Sequence, residues 1–332
     1  MCGRILITGG AGYIGSHVNK LLLEMGYKTI VLDNLSFGHR EFVKNTDFIL
    51  GDTSDKYLLD LIFKNYKIES VMHFAAFAYV GESVQNPSKY YINNVVNTIN
   101  LLEKLITYKI NNLIFSSTCA IYGNPQYTPI DEKHPKNPIN PYGKSKLMVE
   151  NILADYRTSY NLNYTSLRYF NVAGADLSSE IGEWHEPETH IIPILLDVAL
   201  GKRKEFVVYG DDYDTEDGSC IRDYIHVLDL ADCHIKALEW TRKKNSGAFN
   251  IGSEKGYSVK EIIEIAQKVI NKKIPFKIGD RREGDPDILV ATNKKAKNIL
   301  GYRPQYSDIE TIIRTAWKWH VKLNKQIKGK QD

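Results

Sequence analysis

Residues 5–15 read ILITGGAGYIG, and they give the strongest indication of the fold class. Its first three residues form a short apolar run that predicts a buried strand, and residues 15–25 carry apolar positions at helical spacing. Glycines between a strand and a helix let the backbone approach a pyrophosphate, and the helix N-terminus offers it free N–H groups and positive dipole charge. The stretch therefore predicts a strand, a dinucleotide-binding turn and a helix.

The next predicted strand ends on a carboxylate. Residues 29–32 read TIVL, and Asp33 follows them directly. A carboxylate at this place accepts hydrogen bonds from an adenosine ribose and repels a 2′-phosphate. The sequence thus predicts NAD rather than NADP as cofactor, with a tight turn that binds nothing as the alternative.

Strand-like and helix-like segments continue to alternate along the chain. Residues 71–74 and 113–115 are further apolar runs, each after a helical pattern. Such alternation is typical of parallel βαβ units with helices on both faces of a sheet. The predicted fold class is α/β, a Rossmann-type doubly wound parallel sheet with a smaller C-terminal domain.

The predicted domain boundaries follow from a change in the pattern of apolar residues after about residue 171. Residues 175–188 have few periodic apolar positions, and residues 210–218 are acidic and rich in turn formers. We expect residues 1–174 to form the NAD-binding domain, with residues 223–251 returning to it. Residues 175–332 would mainly form the substrate-binding domain.

Composition excludes several classes of protein. The 332 residues include 43 Lys and Arg against 40 Asp and Glu, without the excess that nucleic-acid or polybasic membrane binders carry. The four cysteines form no CxxC pair, and no apolar stretch is long enough to span a bilayer. We expect a cytoplasmic protein with neither nucleic-acid nor membrane partners. His17 and His226 have no partner at ligand spacing, so no metal site is expected.

A second chemical signal is the Tyr142-x-x-x-Lys146 pair. Four residues apart on a helix, the two side chains share a face, and Pro141 suits the first turn of that helix. A lysine ammonium beside a phenol favours the phenolate and would lower the pKa of Tyr142 toward that of a useful general base. In a chain with 21 tyrosines the pair could be accidental, but it follows a dinucleotide motif and a predicted strand end at residues 116–118.

Together these motifs resemble the UDP-glucose 4-epimerases, which belong to the extended short-chain dehydrogenase/reductase superfamily. The likeness covers nearly the whole chain. It rests on TGGAGYIGSH (8–17), LDNLS (32–36), HFAAFAYVGESV (73–84), FSSTCAIYG (115–123), NPYGKSKLMVE (140–150), RYFNVAGA (168–175), DDYDTEDGSCIRDYIHV (211–227) and RREGDP (281–286).

The resemblance implies a tightly held NAD that is regenerated in each turnover. It implies that Tyr142 takes the proton from the sugar 4-hydroxyl while hydride passes from C4 to the nicotinamide. The 4-ketosugar would then rotate and take the hydride back on its other face. Thr118 would hydrogen-bond the 4-oxygen, and Lys146 would also bind the nicotinamide ribose.

The resemblance also assigns binding positions. The positions that match cofactor contacts are Gly9, Gly12, Tyr13, Ile14, Asp33, Asn34, Asp52, Phe74, Asn93, Tyr142 and Lys146. The positions that match contacts to a UDP-sugar are Thr118, Asn171, His190, Arg222, Arg282, Asp285 and Leu289.

Some positions depart from the patterns of related enzymes. Cys119 and Ala120 stand where nucleotide-sugar 4,6-dehydratases carry an acidic pair, which disfavours dehydration. Ala78 replaces a lysine, and His190 an asparagine, that some epimerases direct at the substrate diphosphate. Leu289 stands at a position where some members restricted to unmodified hexoses carry a tyrosine, so we expect N-acetylated sugars to be accepted as well.

Alternatives remain open for the substrate and for the class of protein. One is an epimerase for UDP-arabinose and UDP-xylose, or for UDP-N-acetylglucosamine. Another is a non-catalytic NAD(H)-sensing protein, although a sensor has no need of Thr118, Tyr142 and Lys146 together. The resemblance further implies a homodimer, in which the apolar faces of residues 86–105 and of the helix after Tyr142 pair across a two-fold axis.

Overall fold

A computed structural model describes residues 3–282 and 285–329. Cys2, one of the four cysteines, and Glu283 and Gly284, of the RREGDP motif, lie outside these residues. The strands are β1 (Arg4–Thr8), β2 (Thr29–Asp33), β3 (Asp47–Leu50), β4 (Ile68–His73), β5 (Asn112–Thr118), β6 (Asn163–Tyr169), β7 (Asn171–Ala173), β8 (Phe206–Tyr209), β9 (Ile221–His226), β10 (Gly247–Ile251), β11 (Gly256–Ser258), β12 (Phe276–Gly279) and β13 (Ile288–Leu289).

The helices are α1 (Tyr13–Glu24), α2 (Lys56–Asn65), α3 (Val80–Gln85), α4 (Pro87–Tyr90), α5 (Asn97–Thr107), α6 (Pro141–Tyr160), α7 (Ile191–Ala199), α8 (Val227–Arg242), α9 (Val259–Ile270), α10 (Lys294–Ile299) and α11 (Ile309–Lys328). A π-helical turn, Tyr91–Val96, leads into α5, and short 3-10 turns lie at Arg40–Phe42 and Cys119–Ile121. Within the described residues, no helix is both long and apolar enough to cross a membrane.

The main sheet has seven strands in the order β10-β6-β5-β4-β1-β2-β3, and all its pairings are parallel. The chain moves outward from β1 through β2 to β3 and then returns to place β4 on the other side of β1. Ligands of such sheets bind where the strand order reverses, at the carboxyl ends of the strands. The crevice beyond β1 and β4 is therefore the expected cofactor site.

Helices cover both faces of this sheet. On one face, α1 and α8 bury apolar side chains such as Val18, Leu22 and Leu230 against the strands. On the other, α2, α5 and α6 bury residues such as Leu59 and Leu102. The predicted doubly wound α/β fold is confirmed.

The remaining strands form two smaller sheets. In one, β9 pairs with β7, β11 and β13, and in the other β8 pairs with β12. Helices α7, α9 and α11 share a separate apolar core with these strands. Of residues 223–251, β9 lies in the smaller sheet, α8 covers the main sheet, and β10 forms an edge of the main sheet. This arrangement brings β9 and β13 beside the end of β5.

Candidate active site

The turn between β1 and α1 needs glycine at two positions. Gly9 has a φ of +74°, and a Cβ there would lie 2.5 Å from the backbone nitrogen of Ala75, in the loop after β4. A Cβ on Gly15 would lie 2.3 Å from the carbonyl oxygen of Gly9. The turn therefore folds tightly against both the helix and the neighbouring loop, which only glycine allows.

The N-terminus of α1 points its backbone donors at the crevice. Gly12 is the N-cap residue, and no side chain caps the helix. Because the first N–H groups of a helix have no partner within it, those of Tyr13 and Ile14 are suited to bind a diphosphate. The hydroxyl of Tyr13 turns away and donates to the carbonyl of Gly174 at 2.7 Å. The match to cofactor contacts at Tyr13 and Ile14 thus concerns their backbone.

Carboxylates line the ends of β2 and β3. Asp33 is buried and accepts the N–H groups of Ala11 at 2.9 Å and Leu35 at 2.8 Å, while burial raises the pKa of its carboxyl group. Asn34 donates its side-chain N–H to Asp52 at 2.6 Å. Because an ionised carboxylate has about four acceptor positions, Asp33 retains capacity for ribose hydroxyls.

The loop after β4 forms the other wall of the crevice. The N–H group of Phe74 donates to the carbonyl of Thr8 at 2.9 Å, which joins the ends of β4 and β1. Asn93, in the π-helical turn, donates to Asn94 at 2.9 Å, and Asn94 accepts the N–H group of Phe77 at the same distance. These contacts connect the residues matched to cofactor positions across three segments.

The three predicted catalytic residues come together where β5 ends and α6 begins. Thr118 is the last residue of β5, and its side chain lies close enough to Tyr142 to lower the pKa of the phenol. Asn140 caps α6 by accepting the N–H group of Gly143 at 2.8 Å, with Pro141 in the first turn as predicted. Lys146, one turn after Tyr142, is buried.

Lys146 is bound to the strand rather than to the phenol. Its ammonium group donates to the carbonyl of Ser116 at 2.7 Å and lies 4.9 Å above the ring of Phe115. Burial lowers the pKa of Lys146 to about 7, and the nearby Glu150 opposes this shift. Burial also raises the pKa of Tyr142 to about 12, while the hydrogen bond from Thr118 lowers it.

The pKa of Tyr142 is therefore raised in this structure, whereas the sequence predicted that Lys146 would lower it. Both groups lose hydration on burial, which penalises the charged form of each. Loss of hydration is the largest cause of the shift in each group. The sequence could not reveal this, because it gives spacing but not depth of burial.

Four predicted substrate residues lie beyond the end of β5, on or near β9. Asn171, on β7, donates to the carbonyl of Asp223 at 2.9 Å. Arg222, on β9, lies 3.2 Å from a carboxylate oxygen of Asp285. Leu289 of β13 lies opposite Arg222 in the parallel pairing of β13 with β9. Leu289 packs in the apolar cluster that contains Cys119, the residue after Thr118.

Arg282 and Asp285 border an open cleft of about 690 Å³, whose other wall is residues 124–128. The guanidinium of Arg282 lies 3.9 Å from the ring centroid of Tyr209. His190 does not join this group. It stands before α7, where its Nδ1 lies 2.7 Å from Glu183 and 3.3 Å from Glu188.

Comparison with known proteins places the chain in a family. The sequence profile of the NAD dependent epimerase/dehydratase family matches residues 5–252. The chain belongs to this family. The protein called UDP-glucose 4-epimerase in Halalkalibacterium halodurans is 52% identical over 317 residues, which cover 95% of each chain.

Solved structures agree with this assignment. The UDP-glucose 4-epimerase of Brucella ovis in complex with NAD has 47% sequence identity and a TM-score of 0.93, over 96% of this chain and 98% of that one. The UDP-Glc/GlcNAc 4-epimerase of Campylobacter jejuni has 41% identity and a TM-score of 0.85, over 97% of this chain and all of that one. The predicted family resemblance is confirmed, and the family description names the predicted cofactor.

Two buried hydrogen-bond networks in this epimerase-family chain were not predicted from the sequence. His73, at the end of β4, lies between the hydroxyls of Thr8 at 2.6 Å and Thr98 at 2.8 Å, beneath the phosphate-binding turn. A histidine that ends a buried strand was a signal for this network, but nothing in the sequence identified its partners.

The second network lies behind the catalytic residues. Glu150 and Arg168 form a buried ion pair at 2.6 Å, and Ser117 donates to Glu150 at 2.6 Å. Arg168 also donates to the hydroxyl of Tyr122 at 2.9 Å. Since Ser117 precedes Thr118 and Glu150 follows Lys146 by one helical turn, the network fixes β5 against α6. The spacing of Lys146 and Glu150 was the available signal.

Proposed function

We propose that the protein is an NAD-dependent UDP-glucose 4-epimerase that interconverts UDP-galactose and UDP-glucose through a 4-ketosugar. The observation that carries the proposal is the meeting of Thr118, Tyr142 and Lys146 at the end of β5, beside the glycine turn of residues 9–15. A non-catalytic NAD(H) sensor would use the turn alone.

The chain's own residues hold the cofactor. The N–H groups of Tyr13 and Ile14 bind its diphosphate beside Gly9 and Gly12, and Asp33 accepts a ribose hydroxyl. NAD, when bound, supplies the reversible hydride acceptor. The remaining contacts are assigned to Asn34, Asp52, Phe74, Asn93, Tyr142 and Lys146.

Tyr142 is the base that removes the proton from the sugar 4-hydroxyl. A phenol buried enough to have a pKa of about 12 acts as a base only when nearby positive charge stabilises the phenolate. Lys146 is the cation one helical turn away, and Thr118 donates its hydroxyl hydrogen toward the reacting oxygen. The proton returns to the 4-oxygen when the ketosugar is reduced.

Cys119 and Ala120 disfavour elimination of water from the ketosugar, because neither side chain is an acid at neutral pH. Burial raises the pKa of the Cys119 thiol to about 12. With no acid to protonate a C6 hydroxyl, the ketosugar is reduced in place, which gives epimerisation rather than dehydration.

The UDP portion binds along β9 and the loop of residues 281–286. Arg222 and Arg282 contact diphosphate oxygens, since a guanidinium fork binds such oxygens bidentately. Asp285 and Asn171 contact the nucleotide and the sugar side. The resemblance also assigns a substrate contact to His190, whose Nδ1 is held by Glu183 and Glu188 and which can reach the substrate only with the rest of its half-exposed ring. Arg222 leaves Asp285, its partner at 3.2 Å, when it takes up the anion.

Incubation of the purified protein overnight with UDP-galactose, without added cofactor or reductant, tests the proposed reaction. Formation of UDP-glucose, separated by chromatography, supports it. No conversion of UDP-galactose contradicts it and favours a sensor. A parallel panel of UDP-pentoses tests the alternative epimerase, which would convert UDP-arabinose and leave UDP-galactose unchanged.

A second substrate class is favoured by the position of Leu289. Its side chain packs against the same apolar cluster as Cys119, the residue after Thr118, which favours a place near the reacting sugar. A shorter residue than tyrosine leaves room for an N-acetyl group to rotate with the ketosugar. We therefore expect turnover of UDP-N-acetylglucosamine by the wild type.

The substitution Leu289→Tyr should lower this turnover about ten- to a hundredfold, because overpacking costs roughly 1–3 kcal/mol. The same change at Leu177, which is 52% exposed, is the control and should have no effect. Equal activity on UDP-N-acetylglucosamine in the wild type and Leu289→Tyr, or none in the wild type, contradicts the gate.

Assembly and location belong to the same proposal. Ile92 and Val96, on the segment predicted to pair across a two-fold axis, are 56% and 49% exposed, and Met148 of α6 is 44% exposed. A homodimer covers these side chains, whereas Tyr90 and Leu153 already face the chain's own core. A mass near 37.9 kDa by light scattering would contradict the dimer.

The division into domains at residue 174 and a cytoplasmic location complete the proposal. Cys119, Cys220 and Cys233 are free thiols, which is typical of proteins from reducing compartments. Limited proteolysis within residues 175–190 tests the boundary. Because α8 and β10 return to the main sheet, the two fragments should remain associated and folded after a single cut.

A further inference from the structure

Four side chains between β7 and α7 converge at one point, where the ring of His185 lies 6.3 Å from that of Tyr13 and 6.4 Å from that of Tyr79. They are Glu183, His185, Glu188 and His190, called here the His–Glu cluster, and their four nearest nitrogen and oxygen atoms lie within 4.8 Å of one another. His190 Nδ1 lies 2.7 Å from Glu183 and 3.3 Å from Glu188, and His185 Nδ1 lies 3.4 Å and 3.7 Å from the same two carboxylates.

The surrounding structure fixes the cluster in place. The indole N–H of Trp319, on α11, donates to the carbonyl of Glu183 at 2.9 Å. One oxygen of Glu188 accepts the N–H groups of Thr189 at 2.7 Å and His190 at 2.8 Å. The other oxygen of Glu188 is thereby turned toward His185.

Two buried atoms of the cluster lack a hydrogen bond. The side chain of Glu183 is only 4% exposed, yet its Oε1 has no hydrogen-bond partner among the described residues. The same holds for His185 Nδ1. Both atoms have close neighbours, but no contact has the alignment of a hydrogen bond. Because unpaired polar atoms in a protein interior are costly, this arrangement points to a missing ligand.

The donor set indicates which ligand. Two imidazole nitrogens and two carboxylate oxygens are ligands that Zn²⁺ accepts in tetrahedral geometry, at about 2.0–2.2 Å from the metal. Such a tetrahedron has edges of about 3.3 Å. The contacts of His185 Nδ1 with Glu183 Oε1 at 3.4 Å and with Glu188 Oε2 at 3.7 Å are close to this value. The 2.7 Å contact of His190 Nδ1 with Glu183 Oε1 needs to open by about 0.6 Å.

We infer that the His–Glu cluster is a zinc site that ties residues 183–190 together. The side chain of His190 is 50% exposed and offers the ion a path from solvent. This inference contradicts the expectation of no metal site, which rested on His17 and His226 alone. A zinc here would stabilise the segment before α7 and take no part in hydride transfer.

Zinc content measures the site without reference to activity. Protein freed of metal by a chelator is dialysed against micromolar zinc chloride, and bound zinc is measured by mass spectrometry. We expect one zinc per chain in the wild type and at least about tenfold weaker binding in Glu183→Gln and His185→Gln. Glu180→Gln, which changes a 45% exposed carboxylate nearby, is the matched control and should bind like the wild type.

Cobalt gives an independent reading, because tetrahedral Co²⁺ has characteristic visible absorption. These bands should appear in the wild type and be lost in His185→Gln. If Glu183→Gln fails to fold, His185→Gln alone decides, since its ring is only partly buried. The inference is overturned if the wild type binds no stoichiometric zinc, or if both variants bind it as tightly; the cluster is then a buried ion pair of His190 and Glu183.

Discussion

Two charged residues matched to the cofactor, at the end of β2 and next to β5, are bound to backbone atoms, whereas two residues matched to the substrate, on β9 and before α7, pair with carboxylate side chains. Asp33 accepts two backbone N–H groups, and Lys146 donates to the carbonyl of Ser116. By contrast, Arg222 pairs with Asp285, and His190 with Glu183.

The two regions should respond differently to amino-acid substitution. Backbone partners are fixed by the parallel sheet, so the cofactor region is preformed before any ligand binds. Side-chain partners can be exchanged for an incoming anion. Substitutions in the cofactor region should therefore change the rate or the stability, and those in the substrate region should chiefly change KM.

The largest effect is expected for Tyr142→Phe. Losing a general base costs about 10²–10⁴-fold in rate, and the variant should still fold and bind NAD, because the phenol ring is retained. Turnover of UDP-galactose and retained cofactor after gel filtration are the measurements. Tyr108→Phe, which removes a hydroxyl bonded to Asp60, is the control and should keep wild-type turnover. More than half of wild-type activity in Tyr142→Phe would refute the assigned base.

Arg222→Ala tests the substrate region. Hydrogen bonds to charged groups contribute about 1.5–3 kcal/mol, so KM should rise about ten- to a hundredfold while kcat changes less. Arg222→Lys keeps the positive charge but loses the bidentate guanidinium group, so its KM should lie between those of the wild type and Arg222→Ala. Arg203→Ala, at an exposed pair with Asp197, is the control. A fall in kcat at unchanged KM would break the distinction between the two regions.

Gly15→Ala tests whether the cofactor region is as rigid as its contacts indicate. The new methyl group would lie 2.3 Å from the carbonyl oxygen of Gly9, and such overpacking costs roughly 1–3 kcal/mol of stability. Bound NAD should be lost as the turn shifts. Gly81→Ala is the matched control, since a Cβ there meets open space. Unchanged stability and cofactor content in Gly15→Ala would contradict a rigid turn.

Much of the cofactor region could be predicted from the sequence. The runs at residues 5–7 and 29–32 became β1 and β2, and Asp33 ends β2 as expected. The helix predicted at residues 15–25 begins two residues earlier, at Tyr13, because Gly12 serves as its N-cap. Local periodicity and turn chemistry determine these features.

The rest depended on contacts between distant segments. The approach of Gly9 to Ala75 arises from the pairing of β1 with β4, which no local pattern encodes. The raised pKa of Tyr142 depends on burial, and the His–Glu cluster depends on how residues 183–190 fold back on themselves. Spacing predicted which residues share an element, but not which charges they meet across the fold.

The smallest expected effect concerns His73, the buried histidine beneath the phosphate-binding turn. Burial lowers its pKa to about 3, whereas an exposed histidine in the unfolded chain has a pKa of about 6.5. The folded protein thus holds His73 neutral while the unfolded chain takes up a proton. His73 therefore lowers the free energy of unfolding progressively as the pH falls from 6.5 toward 3, by about 1.4 kcal/mol per pH unit.

The slope of stability with pH isolates this effect from simple loss of contacts. His73→Gln cannot titrate at this position, so its free energy of unfolding, measured in urea from pH 7 to 5, should fall by about 2 kcal/mol less than that of the wild type. Thr98→Val is the control, because it removes the hydroxyl 2.8 Å from His73 without removing a titratable group. It should lower stability at every pH and leave the slope steep. Parallel slopes for the wild type and His73→Gln would mean that this imidazole takes up a proton in the folded protein as well. The cofactor region would then be more accessible to water than its backbone contacts indicate.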